Sequence, residues 1–143
     1  MSSKPQMMIL DGDGTYQIEV VGESRYRANL LAIAGDGDGA GVDLVRTAYM
    51  VPEPGNPSDR NAMRVDIDQK PVGYLRRELA AVLSPALLAN RLVALQTQAH
   101  ITAGFDGGNY SVWLDGDLNG ALAEMATMQA GRKRRGCLWS MFS

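Results

Sequence analysis

Basic and aromatic side chains stand close together at three separate places in the chain. They are Arg25 and Tyr26, then Tyr74, Arg76 and Arg77, and finally the aromatic Tyr110. A protein that holds single-stranded nucleic acid needs cationic donors for the phosphates and flat rings on which the bases stack. The pattern therefore indicates a nucleic-acid surface if the fold brings the three places together. The alternative is a set of half-exposed tyrosines and solvated arginines.

A polar loop after residue 53 carries a carboxylate with two conceivable roles. Pro54 and Pro57 fix φ and remove backbone donors, so neither a helix nor a central strand runs through this stretch. Asp59 and Asn61 are short polar side chains of the kind that bond nearby backbone N–H groups in tight turns. Asp59 is thus either the acceptor of an Asx-turn or a ligand-binding carboxylate, and the sequence leaves both open.

Enzymatic chemistry has little support in this sequence. The Asp-Gly pairs lack the full ligand set of a calcium loop, and residues 35–41 lack the Lys-Ser/Thr of a phosphate-binding loop. The single His, His100, lies in a strand-like run without a neighbouring nucleophile. One Cys and one His are too few for a Cys/His zinc site. We therefore expect no enzyme activity, no catalytic residue, no metal and no cofactor.

Length and composition indicate one folded domain. The chain has 143 residues, 45% of them hydrophobic, which suits a single domain with a real core. The formal net charge is -2, so any nucleic-acid binding must come from a local patch. The chain shows no apolar run of roughly 20 residues that would span a bilayer, and its first residues lack a signal-peptide core. We expect a cytoplasmic protein.

The hydrophobic pattern predicts a mainly β protein with short helices. Strands are predicted over residues 16–22, 26–33, 43–51, 63–67, 72–75, 92–104 and 110–114. Helices are predicted over residues 76–83, 85–90 and 118–130. Pro85 should end or kink the helical run near Leu83, and Ser84 should cap the second helical piece. Several short strands with a helix inserted between them indicate a small, partly closed β-barrel.

Composition divides the chain into four segments. Residues 1–15 form an N-terminal lead, 16–116 the barrel domain, 117–131 a C-terminal helix and 132–143 a basic and apolar tail. A flexible loop is predicted over residues 35–41 and a hairpin turn over residues 106–109. The tail either frays or contacts nucleic acid, an anionic membrane surface or the groove of a protein partner.

Three blocks in the middle of the chain carry a family resemblance. They are the stretches over residues 20–26 (VVGESRY), 56–62 (NPSDRNA) and 72–80 (VGYLRRELA). In this order they resemble the HIRAN domain, over roughly residues 18–114. That module occurs at the front of some DNA-repair helicase-like ATPases and in small stand-alone bacterial proteins. The resemblance implies a barrel related to the OB-fold.

The resemblance also implies a function, the capture of the 3′ end of single-stranded DNA. In the family a carboxylate of the Pro-Asn-Asp loop accepts a hydrogen bond from the free 3′-hydroxyl, and Asp59 occupies that position. Tyr74 falls at a position where the family has a polar ring, and Arg77 falls at the position of a basic residue that contacts phosphate. Tyr110 falls at the position of an aromatic residue that stacks on a base. Ser58 stands where the family member with a known DNA complex has an aromatic residue, so the resemblance implies one stacking platform fewer in this chain.

The sequence therefore predicts a non-catalytic module that binds single-stranded DNA. The predicted binding residues are Arg25, Tyr26, Asp59, Tyr74, Arg76, Arg77 and Tyr110. The alternative is a protein–protein interaction module that uses the barrel face or the C-terminal tail. A hydrolase built on Asp59 and His100 is a third interpretation, which requires those two side chains to be adjacent. The repair role of the ATPase-fused relatives does not transfer to an isolated domain.

Overall fold

The computed structural model describes residues 6–35, 41–104 and 109–142, with side chains described up to residue 131. The strands are β1 (Gln6–Ile9), β2 (Ile18–Val21), β3 (Val42–Pro52), β4 (Met63–Ile67), β5 (Lys70–Leu75), β6 (Leu92–Ala103) and β7 (Ser111–Leu114). The helices are α1 (Arg27–Ala34), α2 (Arg77–Ala89) and α3 (Leu118–Phe142). A short 3₁₀ helix, Glu23–Tyr26, precedes α1.

Six of the strands close into a barrel. Their order is β6-β3-β4-β5-β2-β7, and β7 pairs back onto β6. The long strand β6 makes this closure possible, because its second half pairs with β7 from Ala99 to Thr102. Its first half pairs in parallel with β1, which lies outside the barrel as an extra strand. The prediction of a small, mainly β barrel with inserted and C-terminal helices is confirmed.

The barrel interior is filled by the alternate residues of each strand. In β4, Met63, Val65 and Ile67 are fully buried, whereas Arg64 and Asp66 are half-buried on the opposite face. This two-residue period makes one face of the strand apolar, so burial fixes its register. The helices cover the open regions of the barrel with further fully buried side chains, among them Leu30, Leu83, Leu87 and Met125.

The predicted strand over residues 26–33 is wrong, since this stretch forms the 3₁₀ helix end and α1. Gly22 ends β2 in the left-handed conformation, with φ 76°. The N–H of Arg25 then bonds the carbonyl of Gly22 and turns the chain into a helix. An eight-residue apolar run suits a strand as well as a helix, so this turn decides between them.

The predicted helix break at Pro85 is also wrong, because α2 runs unbroken from Arg77 to Ala89. Pro85 lies on the exposed side of the helix, opposite the buried face that includes Leu83 and Leu87. The packing of that face outweighs the one lost hydrogen bond. Ser84 is a buried interior residue of α2 rather than a helix cap.

Two further elements extend beyond the predicted ones. β1 lies in the segment predicted as an N-terminal lead, and α3 continues through Gly131 to Phe142. Most of the predicted loop at residues 35–41 and of the predicted turn at residues 106–109 lies outside the described residues. Within the described part of the chain, none of the helices is long and apolar enough to cross a membrane.

Gly73 is the backbone position on which the β2–β5 pairing depends. Its φ is 156°, and a Cβ there would lie 2.5 Å from Val20 Cγ1 and 2.7 Å from the carbonyl oxygen of Val21. We expect Gly73→Ala to lower the free energy of unfolding by about 2 kcal/mol or more. Urea unfolding measures the change. Gly55→Ala is the control, because nothing lies within 4 Å of its added Cβ; equal destabilisation by both substitutions would contradict the prediction.

Candidate nucleic-acid interface

The loop between β3 and β4 is closed at its base by backbone hydrogen bonds. The N–H of Glu53 donates to the carbonyl of Ala62 at 2.8 Å, and the N–H of Asn56 donates to the carbonyl of Glu53 at 3.0 Å. The N–H of Ala62 in turn donates to the carbonyl of Asp59 at 3.0 Å. The loop is therefore a compact structure held at both ends by the barrel.

The side chain of Asn56 organises the tip of this loop. Its Oδ1 accepts hydrogen bonds from the N–H groups of Ser58 at 2.9 Å and Asp59 at 3.2 Å. Its Nδ2 donates to Oε1 of Glu53 at 3.1 Å. Because the amide group uses both ends, it ties the tip of the loop to Glu53 at the base.

Glu53 joins the loop to the barrel wall through two further side chains. Tyr74 on β5 donates its hydroxyl proton to Oε1 at 2.7 Å, and Arg64 on β4 donates to Oε2 at 3.0 Å. Arg64 also makes a two-pronged pair with Asp66, at 2.7 and 2.9 Å. Arg64 and Tyr74 are paired across β4 and β5, so the strand register sets the spacing of both donors.

These contacts determine the protonation states of Glu53 and of its partners Tyr74 and Arg64. Burial opposes the charge on Glu53, yet hydrogen bonds from Tyr74, Asn56 and Arg64 hold the pKa of its carboxyl below the ordinary value. Burial and hydrogen bonding to Glu53 and Tyr26 raise the pKa of Tyr74. The pair to Asp66, followed by that to Glu53, raises the pKa of Arg64. Near neutral pH Glu53 is therefore an anion and Tyr74 a hydrogen-bond donor.

The ring of Tyr74 lines a cleft beside Glu53 and lies next to the ring of Tyr26. The ring centroids of Tyr26 and Tyr74 lie 6.4 Å apart with an interplanar angle of 46°. Tyr74, Glu53, Asn56 and Pro57 line the cleft, whose volume is about 480 Å³. Both rings are half-buried. A half-buried ring with one accessible face is a suitable stacking platform for a nucleobase.

Asp59 uses its two carboxylate oxygens differently. Oδ1 accepts a hydrogen bond from the N–H of Asn61 at 2.9 Å, which forms an Asx-turn. Oδ2 lies 3.6 Å from Nε of Arg77, an ion pair longer than a good hydrogen bond. The side chain of Arg77 is 75% exposed and that of Asp59 is 22% exposed. The turn thus orients the carboxylate while its second oxygen keeps acceptor capacity.

The structure brings four of the predicted residues to one surface. Tyr26 and Tyr74 contact each other, Asp59 is bound to Asn56 at the cleft, and Arg77 pairs with Asp59. Arg25 is exposed on the 3₁₀ helix that ends at Tyr26.

Two predicted residues lie elsewhere. Arg76 pairs with Glu19 at 2.8 Å and lines a second groove. Tyr110 belongs to the core, with 5% of its surface exposed. Its hydroxyl donates to the carbonyl of Gly35 at 2.7 Å, and the guanidinium of Arg27 lies 5.6 Å from its ring centroid. A ring with so little exposed surface offers no free face for a base.

The arrangement expected of a hydrolase is also not present. His100 pairs through Nε2 with Asp43 at 2.6 Å and lies beside the ring of Tyr16, with ring centroids 5.5 Å apart. Asp59 has Asn61 and Arg77 as its contacts instead. Over the described residues, no group of three or more His, Cys, Asp or Glu side chains is placed to hold a metal ion.

Sequence reasoning missed the centre of the site. Glu53 stands between Pro52 and Pro54, and a charged residue in such a loop is not part of any recognisable motif. Its partners Arg64 and Tyr74 lie 11 and 21 residues further along the chain. Only the pairing of β4 with β5 brings them together, and no local motif reports that pairing.

Comparison with known proteins gives the family. The HIRAN domain model matches residues 13–103, well over half of the chain. The chain belongs to the HIRAN domain family. The predicted resemblance is thus confirmed, and the barrel is the OB-like barrel of that family.

Solved structures of one relative are also similar to this HIRAN domain. A structure of the HLTF HIRAN domain in its DNA-bound conformation is 22% identical, with a TM-score of 0.31, and the match covers 60% of this chain and 73% of that chain. A crystal structure of the HIRAN domain of human HLTF is 21% identical, with a TM-score of 0.29, and the match covers 65% and 93%. No curated protein matches the chain.

The low pKa of Glu53 predicts a pH-dependent contribution to stability. Because the folded-state pKa lies below the unfolded value, this contribution is fully present above the unfolded pKa and is lost as the pH falls through the folded one. We expect wild type to exceed Glu53→Gln in free energy of unfolding by about 1–3 kcal/mol at pH 7. The difference should shrink as the pH falls below about 4.5.

Urea unfolding at a series of pH values measures this difference. Glu124→Gln is the control, because Glu124 is exposed on α3. Its difference from wild type should stay small throughout. A Glu53→Gln difference that stays constant, or grows, as the pH falls would contradict the assignment of Glu53 as the anion of this group.

Proposed function

We propose that this HIRAN domain binds single-stranded DNA at its 3′ end, without catalysis. The observation that carries the proposal is the ring pair of Tyr26 and Tyr74 beside a cleft. Asp59 lies in the loop next to this cleft and pairs with Arg77 at the start of α2. Rings and an exposed cation are the groups that single-stranded nucleic acid requires. A carboxylate can in addition accept a hydrogen bond from a terminal hydroxyl. Membership of the HIRAN family supports nucleic acid as the ligand class.

Each group has a distinct role in this proposal. The rings of Tyr26 and Tyr74 stack on the terminal bases, and Arg77 and Arg25 hold phosphates. Oδ2 of Asp59 accepts the hydrogen bond of the free 3′-hydroxyl. A carboxylate accepts a hydroxyl proton but repels a phosphate at the same point, so an internal nucleotide or a 3′-phosphate is disfavoured.

The group around Glu53 supports this role by holding the cleft in place before DNA arrives. Tyr74 is restrained by its hydrogen bond to Glu53, and the loop tip is restrained by Asn56. A preformed site avoids most of the entropy cost of ordering side chains on binding. Arg76 and Tyr110 have no part in it, since one pairs with Glu19 and the other is buried.

Discrimination at the 3′ end tests the role of Asp59. We expect wild type to bind a short single strand with a free 3′-hydroxyl about tenfold more tightly than the same strand with a 3′-phosphate, a difference of about 1.4 kcal/mol. Asp59→Asn keeps an oxygen for the Asx-turn but removes the charge. It should therefore fold normally and lose most of the preference. Fluorescence anisotropy at low and moderate salt measures both affinities.

Asp68→Asn is the matched control, because Asp68 is exposed in the turn at the far end of β4. It makes the same change of charge and should leave the preference intact. If wild type shows no preference, or if Asp59→Asn retains it, the proposed contact to the 3′-hydroxyl is wrong. Equal and steeply salt-dependent binding of all probes would mean a general phosphate surface instead.

Stacking is tested by two substitutions at one position. Tyr74→Phe keeps the ring and removes the hydroxyl that donates to Glu53, so it should cost about 1–2 kcal/mol of stability. Its DNA affinity should fall only through the lost restraint on the ring, because the stacking face itself remains. Tyr74→Leu removes the ring as well and should cost a further 1–3 kcal/mol or so of binding. Urea unfolding and anisotropy separate the two effects. Equal DNA affinity of both variants would exclude Tyr74 as a stacking platform.

A protein–protein interaction module is the second candidate function. It is supported by the large groove that Arg76 lines, which is separate from the cleft beside Tyr74. This function predicts that none of the DNA probes binds with a salt-dependent affinity.

A further inference from the structure

A second groove runs between the N-terminal segment, β2, β7 and the two longer helices. Its volume is about 1160 Å³. Its apolar part includes Val82 of α2 and Trp113 of β7, whose surfaces are 53% and 37% exposed. Leu118 and Leu122, on the first turns of α3, continue this apolar surface. Large apolar side chains exposed together in a groove are typical of an interaction site.

The rim of this groove is acidic. Five carboxylate residues line it, and they are Asp11, Asp13, Glu19, Glu78 and Asp117. The one cation among the lining residues is Arg76, whose charge is already paired with Glu19 at 2.8 Å. The groove therefore suits an occupant that combines several positive charges with apolar side chains, and it repels nucleic acid.

The C-terminal segment of the chain has this composition. Residues 132–135 are Arg-Lys-Arg-Arg, and Leu138, Trp139, Met141 and Phe142 follow within ten residues. Four cations next to four large apolar residues complement both the acidic rim and the apolar floor. Elsewhere in the chain the only consecutive cations are the pair Arg76 and Arg77.

The position of this segment on α3 points to a second molecule. α3 begins at the groove, where Leu118 and Leu122 lie, and continues as one helix to Phe142. At 1.5 Å per residue, Arg132 lies about 15 Å along the axis from Leu122, and Phe142 about 30 Å. A continuous helix thus carries the segment away from the groove of its own barrel.

We propose that the segment over residues 132–142 docks into the acidic groove of a second copy of this chain. The cations pair with the rim carboxylates, and the apolar residues cover Val82 and Trp113 of the other copy. An exchange of segments between two copies uses the same two surfaces twice and closes into a two-fold dimer. This proposal is independent of DNA binding, because the groove and the cleft beside Tyr74 have different lining residues.

Sedimentation velocity of two full-length variants tests the exchange. One carries Asp11→Lys and Glu78→Lys in the groove, where both side chains are exposed. The other carries glutamate at each of residues 132–135. Wild type should dimerise, with an affinity that weakens by about tenfold or more from low to high salt. Each variant alone should be monomeric, and an equimolar mixture should form a one-to-one dimer through the basic segment of the first and the acidic groove of the second.

A matched pair of lysine substitutions on α2 checks that the groove itself is the surface. Val82→Lys should abolish the dimer, whereas Leu88→Lys should leave it intact, because Leu88 is similarly exposed, at 48%, and does not line the groove. A monomeric wild type, or a mixture of the two charge variants that stays monomeric, would overturn the proposal. If wild type is monomeric and the variant with glutamate at residues 132–135 no longer binds DNA, the segment would be assigned to nucleic-acid binding instead.

Discussion

The carboxylate of Glu53 is the contact on which the candidate site depends. It accepts hydrogen bonds from Tyr74, Asn56 and Arg64, which belong to β5, the loop and β4. A half-buried anion with three donors is stable only while all three remain in place, so the group acts as a single unit. The tip of the loop, through Asn56, and the ring of Tyr74 are therefore both restrained by one side chain that itself contributes no stacking face.

The HIRAN barrel provides the geometry that this group needs. β4 and β5 pair so that Arg64 and Tyr74 are neighbours, and β2 pairs with β5 so that the chain leaving Val21 brings Tyr26 to Tyr74. The positive φ of Gly22 turns the chain at that point. Closure of the barrel through β6 and β7 removes the free edges of these strands and holds the register that the site requires. The acidic groove shares no lining residue with the cleft beside Tyr74, so the proposed DNA binding and the proposed self-association do not depend on each other.

Strict alternation made some elements predictable, whereas tertiary contacts decided the others. β4 was predicted because Met63, Val65 and Ile67 alternate with polar residues. α1 was not, because its turn depends on the backbone of Gly22, and α2 runs past Pro85 because its buried face holds it. Tyr74 and the polar loop beside the cleft were singled out from the sequence. The role of Glu53 was not, since its partners are distant in sequence and meet only through strand pairing.

The most direct measurement of the central claim is a nitrogen–proton correlation spectrum of the protein titrated with a short single strand that ends in a free 3′-hydroxyl. The claim that the 3′ nucleotide occupies the cleft predicts that the amide signals of Asn56, Asp59 and Tyr74 shift with one affinity. Those of Asp68 and Glu124, which lie outside the cleft, should stay in place. Shifts confined to the acidic groove or to residues 132–142, with the cleft signals unchanged, would contradict the claim.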